Sequence, residues 1–291
     1  MKRLLMACLL SAHSLMAWAI SPYISADRVT AGELPAVAAE VEKKLTAAGF
    51  QVLGLYTPRF LPTHGVLVVT DPDMLNRIRA MGGDTIVAAP VRVGITTEGV
   101  VSYSNPDYWY RAFLRQQFPK AEPAARALQS RLARALGAGP GFGGDEKAAS
   151  LPGYRYIAGM ERFDTDKNQL AVHADFATAL QVVQDNLARG VAGTSKVYEL
   201  VISEKKIAVI GVAMNSPANG DAVLLGKLGV QERIAGFPYE LFILDNEVHA
   251  LFGRYRLALA FPDLSMGQFM RIVFAPDDIR TTLKTVAGGA N

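Results

Sequence analysis

Cysteine is almost missing from this chain: the single residue, Cys8, stands among the first nineteen. Beyond it there can be no disulfide, no thiolate nucleophile and no Cys metal ligand. Histidine is nearly as scarce, with four residues in 291. Three of them, His64, His173 and His249, lie beyond the leader, and no two stand at metal-ligand spacing. Charge of one sign is also lacking. The 30 Lys and Arg nearly balance the 27 Asp and Glu, a formal net charge of +3, which gives no reason to expect nucleic acid or an anionic membrane as partner. After the leader no apolar run approaches the roughly eighteen residues of a membrane helix, so no integral membrane segment is expected.

What is present begins with that leader. Lys2 and Arg3 supply a positive start, Leu4 to Met16 is mostly apolar, and Ala17-Trp18-Ala19 places small residues where a signal peptidase grips. The reading is a signal peptide over 1–19, cleaved before Ile20, and a periplasmic or secreted protein of a bacterial envelope. Leu5-Met6-Ala7-Cys8 has the outline of a lipoprotein acylation box, but too few apolar residues precede it.

The clearest break in the remainder is Gly137-Ala-Gly-Pro-Gly-Phe-Gly-Gly144, followed by a polar stretch to Ser150. Such glycine density disfavours helix and strand, so 137–153 is expected to be a linker. No Lys-Ser/Thr follows the glycines, and a phosphate cradle is excluded. On either side the same order of elements recurs. A helix over Glu33–Ala48 answers one capped by Asp175 with Phe176, Ala179, Leu180, Val183 and Leu187 on one face. Strands Phe50–Tyr56 and Val66–Thr70 answer Val197–Ile202 and Ile207–Met214. A short helix follows in each half, over Pro72–Met81 and from Gly220 to Leu228; then Pro90–Ile95 answers Pro238–Ile243 and Val100–Tyr103 answers Val248–Leu251, at a spacing of 148 residues. Each half closes on a helix, Glu122–Leu136 and Met266–Val286, the second broken at Pro276. The expected fold is α+β: two similar modules, 20–136 and 154–291, each an antiparallel sheet with helices packed on one face.

Ala48-Gly-Phe-Gln-Val-Leu53, the strand ending in Thr70-Asp-Pro72, Ala89-Pro-Val-Arg-Val93 and Phe237-Pro-Tyr-Glu-Leu-Phe-Ile243 give the chain a resemblance to the family catalogued as domain of unknown function three-hundred-two. The resemblance covers about Val29–Phe113 and Leu170–Phe261. It implies small α+β domains with an antiparallel sheet and helices on one side, and it carries over no activity and no catalytic residue.

The motifs that bear on chemistry are few. Ser203-Glu-Lys-Lys206 has the Ser-x-x-Lys spacing of penicillin-recognising enzymes, yet it joins two predicted strands and neither partner motif exists in the chain; a hairpin turn is expected. Asp164, Asp166, Asn168 and Asp175 fall at calcium-loop spacing, but Gln169 stands where glycine makes the bend. A polar turn between strands Tyr156–Phe163 and Leu170–Ala174 is preferred to a calcium site. Tyr108, Trp109, Tyr110, Arg111 and Phe113 form an aromatic and guanidinium cluster, matched in the second module by Arg254, Tyr255, Arg256 and Phe261. Such residues dominate binding surfaces where they are exposed.

The expectation is therefore a cleft between the modules, lined by Tyr108, Trp109, Tyr110, Arg111, Arg254, Tyr255 and Arg256. It would bind a small apolar or aromatic ligand, or another envelope protein, without catalysis and without a cofactor. The alternative is a hydrolase or metal-dependent enzyme with a site assembled from Asp71, Asp73, His173 and His249.

Overall fold

The computed structural model describes residues 19–289; the leader up to Trp18, with Cys8, lies outside the described residues. In the middle of each half two strands bury nearly every side chain. Continuous apolar runs such as Val66–Val69 and Ile207–Val212 need cover on both faces, and the arrangement of the two halves supplies it.

The chain opens with β1 (Ala19–Ile20) and β2 (Tyr23–Ser25), followed by α1 (Leu34–Ala47), β3 (Gln51–Tyr56), β4 (His64–Thr70) and α2 (Pro72–Met81). Next come β5 (Pro90–Thr96), β6 (Val101–Ser104), α3 (Pro106–Leu114) and α4 (Phe118–Leu136). Two short strands, β7 (Gly141–Phe142) and β8 (Glu146–Lys147), lead into the second half. There β9 (Gln169–Val172), α5 (Phe176–Ala188), β10 (Thr194–Ile202), β11 (Ile207–Met214) and α6 (Asp221–Leu228) are followed by β12 (Tyr239–Leu244) and β13 (Glu247–His249). The helices α7 (Gly253–Ala260), α8 (Met266–Arg271) and α9 (Ala275–Val286) close it.

The architecture is α+β with two antiparallel sheets, ordered β3-β4-β5-β6-β2-β7 and β10-β11-β12-β13-β9, beside a small β1-β8 pair. Helix α1 covers one face of the first sheet, with α4 packed on α1, α2 and α3, while α5 and α9 lie against the second. Asp71 caps α2 by accepting from the Met74 N–H at 2.8 Å, and Asp175 caps α5 by accepting from Thr178 at 2.7 Å. Between the sheets each half lends the other a roof. The 3₁₀ turn Gly83–Ala88 packs on β11 and β12, and its counterpart Gln231–Gly236 packs on β4, β5 and β6.

Four sequence expectations are corrected. The glycine-rich segment is no free tether: β7 extends the first sheet beside β2, and β8 pairs with β1. Its glycines permit close approach, since a Cβ on Gly143 (φ +92°) would stand 2.7 Å from the Tyr23 ring. No strand forms over Tyr156–Phe163; the stretch is a series of turns held by individual anchors, among them Tyr154, whose hydroxyl donates to Ala258 O at 3.0 Å. The last helix breaks ahead of Pro276, which lies in the first turn of α9. Val248 answers Val101 rather than Val100, because the β5–β6 turn is one residue longer than the two-residue turn Asp245-Asn246.

Candidate functional site

The aromatic cluster sits on α3, and its second-half counterpart on α7. The structure brings these segments together, but it closes the surface they were expected to offer. Tyr108, Trp109, Tyr110, Tyr255 and Arg256 are all buried, with Trp109 4% and Arg256 1% exposed. Their polar ends are satisfied within the contact, except the Tyr110 hydroxyl, which finds no partner. The Tyr108 hydroxyl donates to Leu259 O at 2.9 Å and the Tyr255 hydroxyl to Ala112 O at 3.4 Å, a reciprocal pair between α3 and α7. The Trp109 indole N–H donates to Pro22 O at 2.8 Å, and the Arg256 guanidinium lies 5.0 Å from the Trp109 ring centroid. Arg111 pairs with Asp107 on its own helix at 2.8 Å and with Glu122 on α4 at 3.8 Å, while Arg254 lies near Glu161. The expected groove is thus a closed interface, because the large flat rings gain more by excluding water between the halves than by facing it.

The open concave surface lies elsewhere. A cleft of about 340 Å³ forms where Asp84, on the 3₁₀ turn of the first half, faces the end of the second sheet. Its floor is the cross-strand pair Phe242 and His249, whose rings stack at 5.3 Å and 16°. Phe163 and Leu244 add apolar wall, and Asp84, Asp164, Asp166 and Glu247 supply carboxylates; no Lys or Arg is among the lining residues. Asp84 is fixed by Arg115, whose Nη2 donates to both carboxylate oxygens at 2.9 and 2.8 Å, and that guanidinium also lies 3.9 Å from the Phe163 ring centroid. His249 Nε2 lies 3.1 Å from Glu247 Oε2. Burial lowers the His249 pKa below its ordinary value, with Glu247 and Asp84 opposing. At neutral pH the imidazole adds no positive charge, and with Arg115 offsetting Asp84 the cleft keeps a net negative charge from Asp164, Asp166 and Glu247.

Three of the calcium candidates line this cleft, yet they do not make a cation cage. Asn168 is turned to the backbone: its amide donates to Phe163 O at 2.6 Å and its oxygen accepts from Phe252 N–H at 2.9 Å. Asp175 is occupied in capping α5. Among the described residues no group of three or more His, Cys, Asp and Glu is placed to hold a metal ion. The residues of the enzyme alternative also separate. Asp71 is buried, caps α2 and pairs with Arg131; Asp73 is exposed; His173 Nε2 lies 2.9 Å from Ala287 O. Only His249 reaches the cleft. Asp84 and Phe242 were invisible to motif reasoning because 158 positions separate them. The one available signal was the pairing of His249 with an apolar neighbour in adjacent strands.

No family model matches this chain, and no curated protein matches it.

Proposed function

We propose that this is an exported, non-enzymatic binding protein of the bacterial envelope, built from two related modules of the kind its sequence resembles. Its ligand is a small aromatic molecule carrying a positive charge, taken up in the Phe242–His249 cleft. The observation that supports the reading is the pairing of a stacked aromatic floor with four carboxylates and no cation among the lining residues. An aromatic ring would continue the stack while an ammonium group meets Asp84 and Glu247. The test is calorimetric titration with 2-phenylethylamine. Saturable binding should weaken by about tenfold or more in Asp84→Asn and Glu247→Gln, the loss of one charge-assisted contact each. It should also weaken in acid, where protonation of His249 adds positive charge to the cleft. Absence of saturable binding, or affinity indifferent to both variants, would overturn the proposal.

A hydrolase is the second reading, and the His249–Glu247 contact favours it, since a carboxylate-oriented neutral imidazole is the form a general base takes. Turnover of an activated ester that disappears in His249→Ala would replace the binding reading.

A further inference from the structure

The first cleft has a counterpart in the other half. Gly94 and Ser102 are the cross-strand pair of the first sheet that corresponds to Phe242 and His249, and Glu232 on the turn Gln231–Gly236 corresponds to Asp84. Around them lies a cleft of about 290 Å³, lined also by His64, Thr96, Glu98 and Ile234. We infer that this cleft is a second binding site, specific for a small aliphatic amine.

The floor decides the class. Where the first cleft has two stacked rings, this one has a glycine and a serine, so there is no surface on which an aromatic ring gains by stacking. A Cβ on Gly94 would stand 2.8 Å from Ile234 Cγ2 and 3.0 Å from Ser102 Oγ, so the position accepts no side chain without displacing its neighbours. Ser102 is 6% exposed, lines the cleft, and its hydroxyl forms no hydrogen bond among the described residues. Its oxygen is not sealed off from the cleft, so it faces the opening free to meet a ligand. Glu98 in the β5–β6 turn and Glu232 opposite provide negative charge, and no Lys or Arg is among the lining residues. Arg233 lies nearby, but it is engaged by Asp263 at 2.5 and 2.9 Å as well as by Glu232 at 3.3 Å. Arg28 also reaches the rim, donating to Glu98 O at 3.4 Å, so two cations stand against the carboxylates of Glu98, Glu232 and Asp263, and the rim keeps a net negative charge. Burial holds the His64 imidazole below its ordinary pKa, so it does not offset that charge at neutral pH. Val100 and Ile234 offer a short apolar wall for a methylene chain.

The inference is independent of the first cleft, and the experiment reads the two separately. Putrescine is titrated into isotopically labelled protein while backbone amide shifts are followed. Saturable shifts are expected at Gly94, Thr97, Gly99 and Glu232, weakened about tenfold in Glu98→Gln and in Glu232→Gln and unchanged in Asp84→Asn. Both glutamates are exposed, so these variants keep the fold. Ser102→Ala should weaken putrescine and leave 2-phenylethylamine binding as it was. Shifts centred on Asp84 and His249, shifts that ignore the glutamate variants, or no shift at millimolar putrescine would each overturn the second site, whatever becomes of the first.

Discussion

Arg92 on β5 and Glu240 on β12 occupy corresponding positions of the two sheets, and they pair with each other. Arg256 joins from α7, its Nε 3.3 Å from Glu240. All three are almost wholly enclosed, and burial draws Arg92 down to a pKa of about 10. Two guanidiniums share one carboxylate in the dry centre of the molecule, stacked near Trp109.

Removing the carboxylate alone leaves two uncompensated cations. Glu240→Gln should therefore destabilise the fold by about 3–5 kcal/mol. Replacing the trio together, Arg92→Met with Glu240→Leu and Arg256→Met, should keep the stability or raise it, since desolvating the ions cancels much of their attraction. Urea unfolding of both variants checks the pair of statements. A triple variant less stable than Glu240→Gln would refute them.

Trp109→Ala should behave as a core truncation, costing about 3–5 kcal/mol and lowering the thermal midpoint by several degrees. The variant loses the ring that Arg256 overlies and one of the two donors to Pro22 O, the other being the Asn105 N–H. An unchanged midpoint would mean that α3 does not seal the contact between the halves.

Asp221 predicts a pH dependence. Its carboxylate is enclosed; it accepts from the Tyr56 hydroxyl and from Met214 N–H, while Oδ1 finds no partner. Burial raises its pKa from 3.8 to about 7. Because the folded state holds this proton more tightly than the unfolded chain, stability from this group is greatest below pH 3.8 and declines as pH rises through about 7. A shift of this size corresponds to about 4 kcal/mol. Asp221→Asn should flatten the urea-derived stability profile between pH 4 and pH 8. An equally steep fall in the variant would assign the effect to other groups.

Limited proteolysis should spare Gly141 and Phe142, whose backbone is paired with β2. Subtilisin, which accepts most sequences, should cut first in the turns between Tyr154 and Phe163, where Arg155 and Arg162 are exposed. A first cut within 137–144 would show that the β2–β7 pairing opens readily.

Local pattern announced most of the elements. The α1 stripe of Leu34, Val37, Ala38, Val41 and Leu45 is the buried one, and Pro72–Met81 is the short helix expected there. The segments that escaped were those whose shape depends on distant partners. β2 is three residues long and is held by β6 and β7; the glycines of 141–144 look like slack until Tyr23 and Asp263 are placed beside them. The site was harder still. Composition singles out Trp109 and its neighbours, but it cannot say whether rings meet water or each other, and here α3 meets α7. The cleft residues are ordinary in sequence and become a group only when the turn carrying Asp84 crosses to the opposite sheet.

The difference between the two floors has an evolutionary reading. In a symmetric dimer of one short chain, every substitution in a binding site is copied into its twin, and a residue at the dyad must tolerate itself. A continuous chain lifts that restriction: arginine can stand opposite glutamate, and Phe242–His249 need not match Gly94–Ser102. Each floor is then free to take its own shape without a matching change in the other.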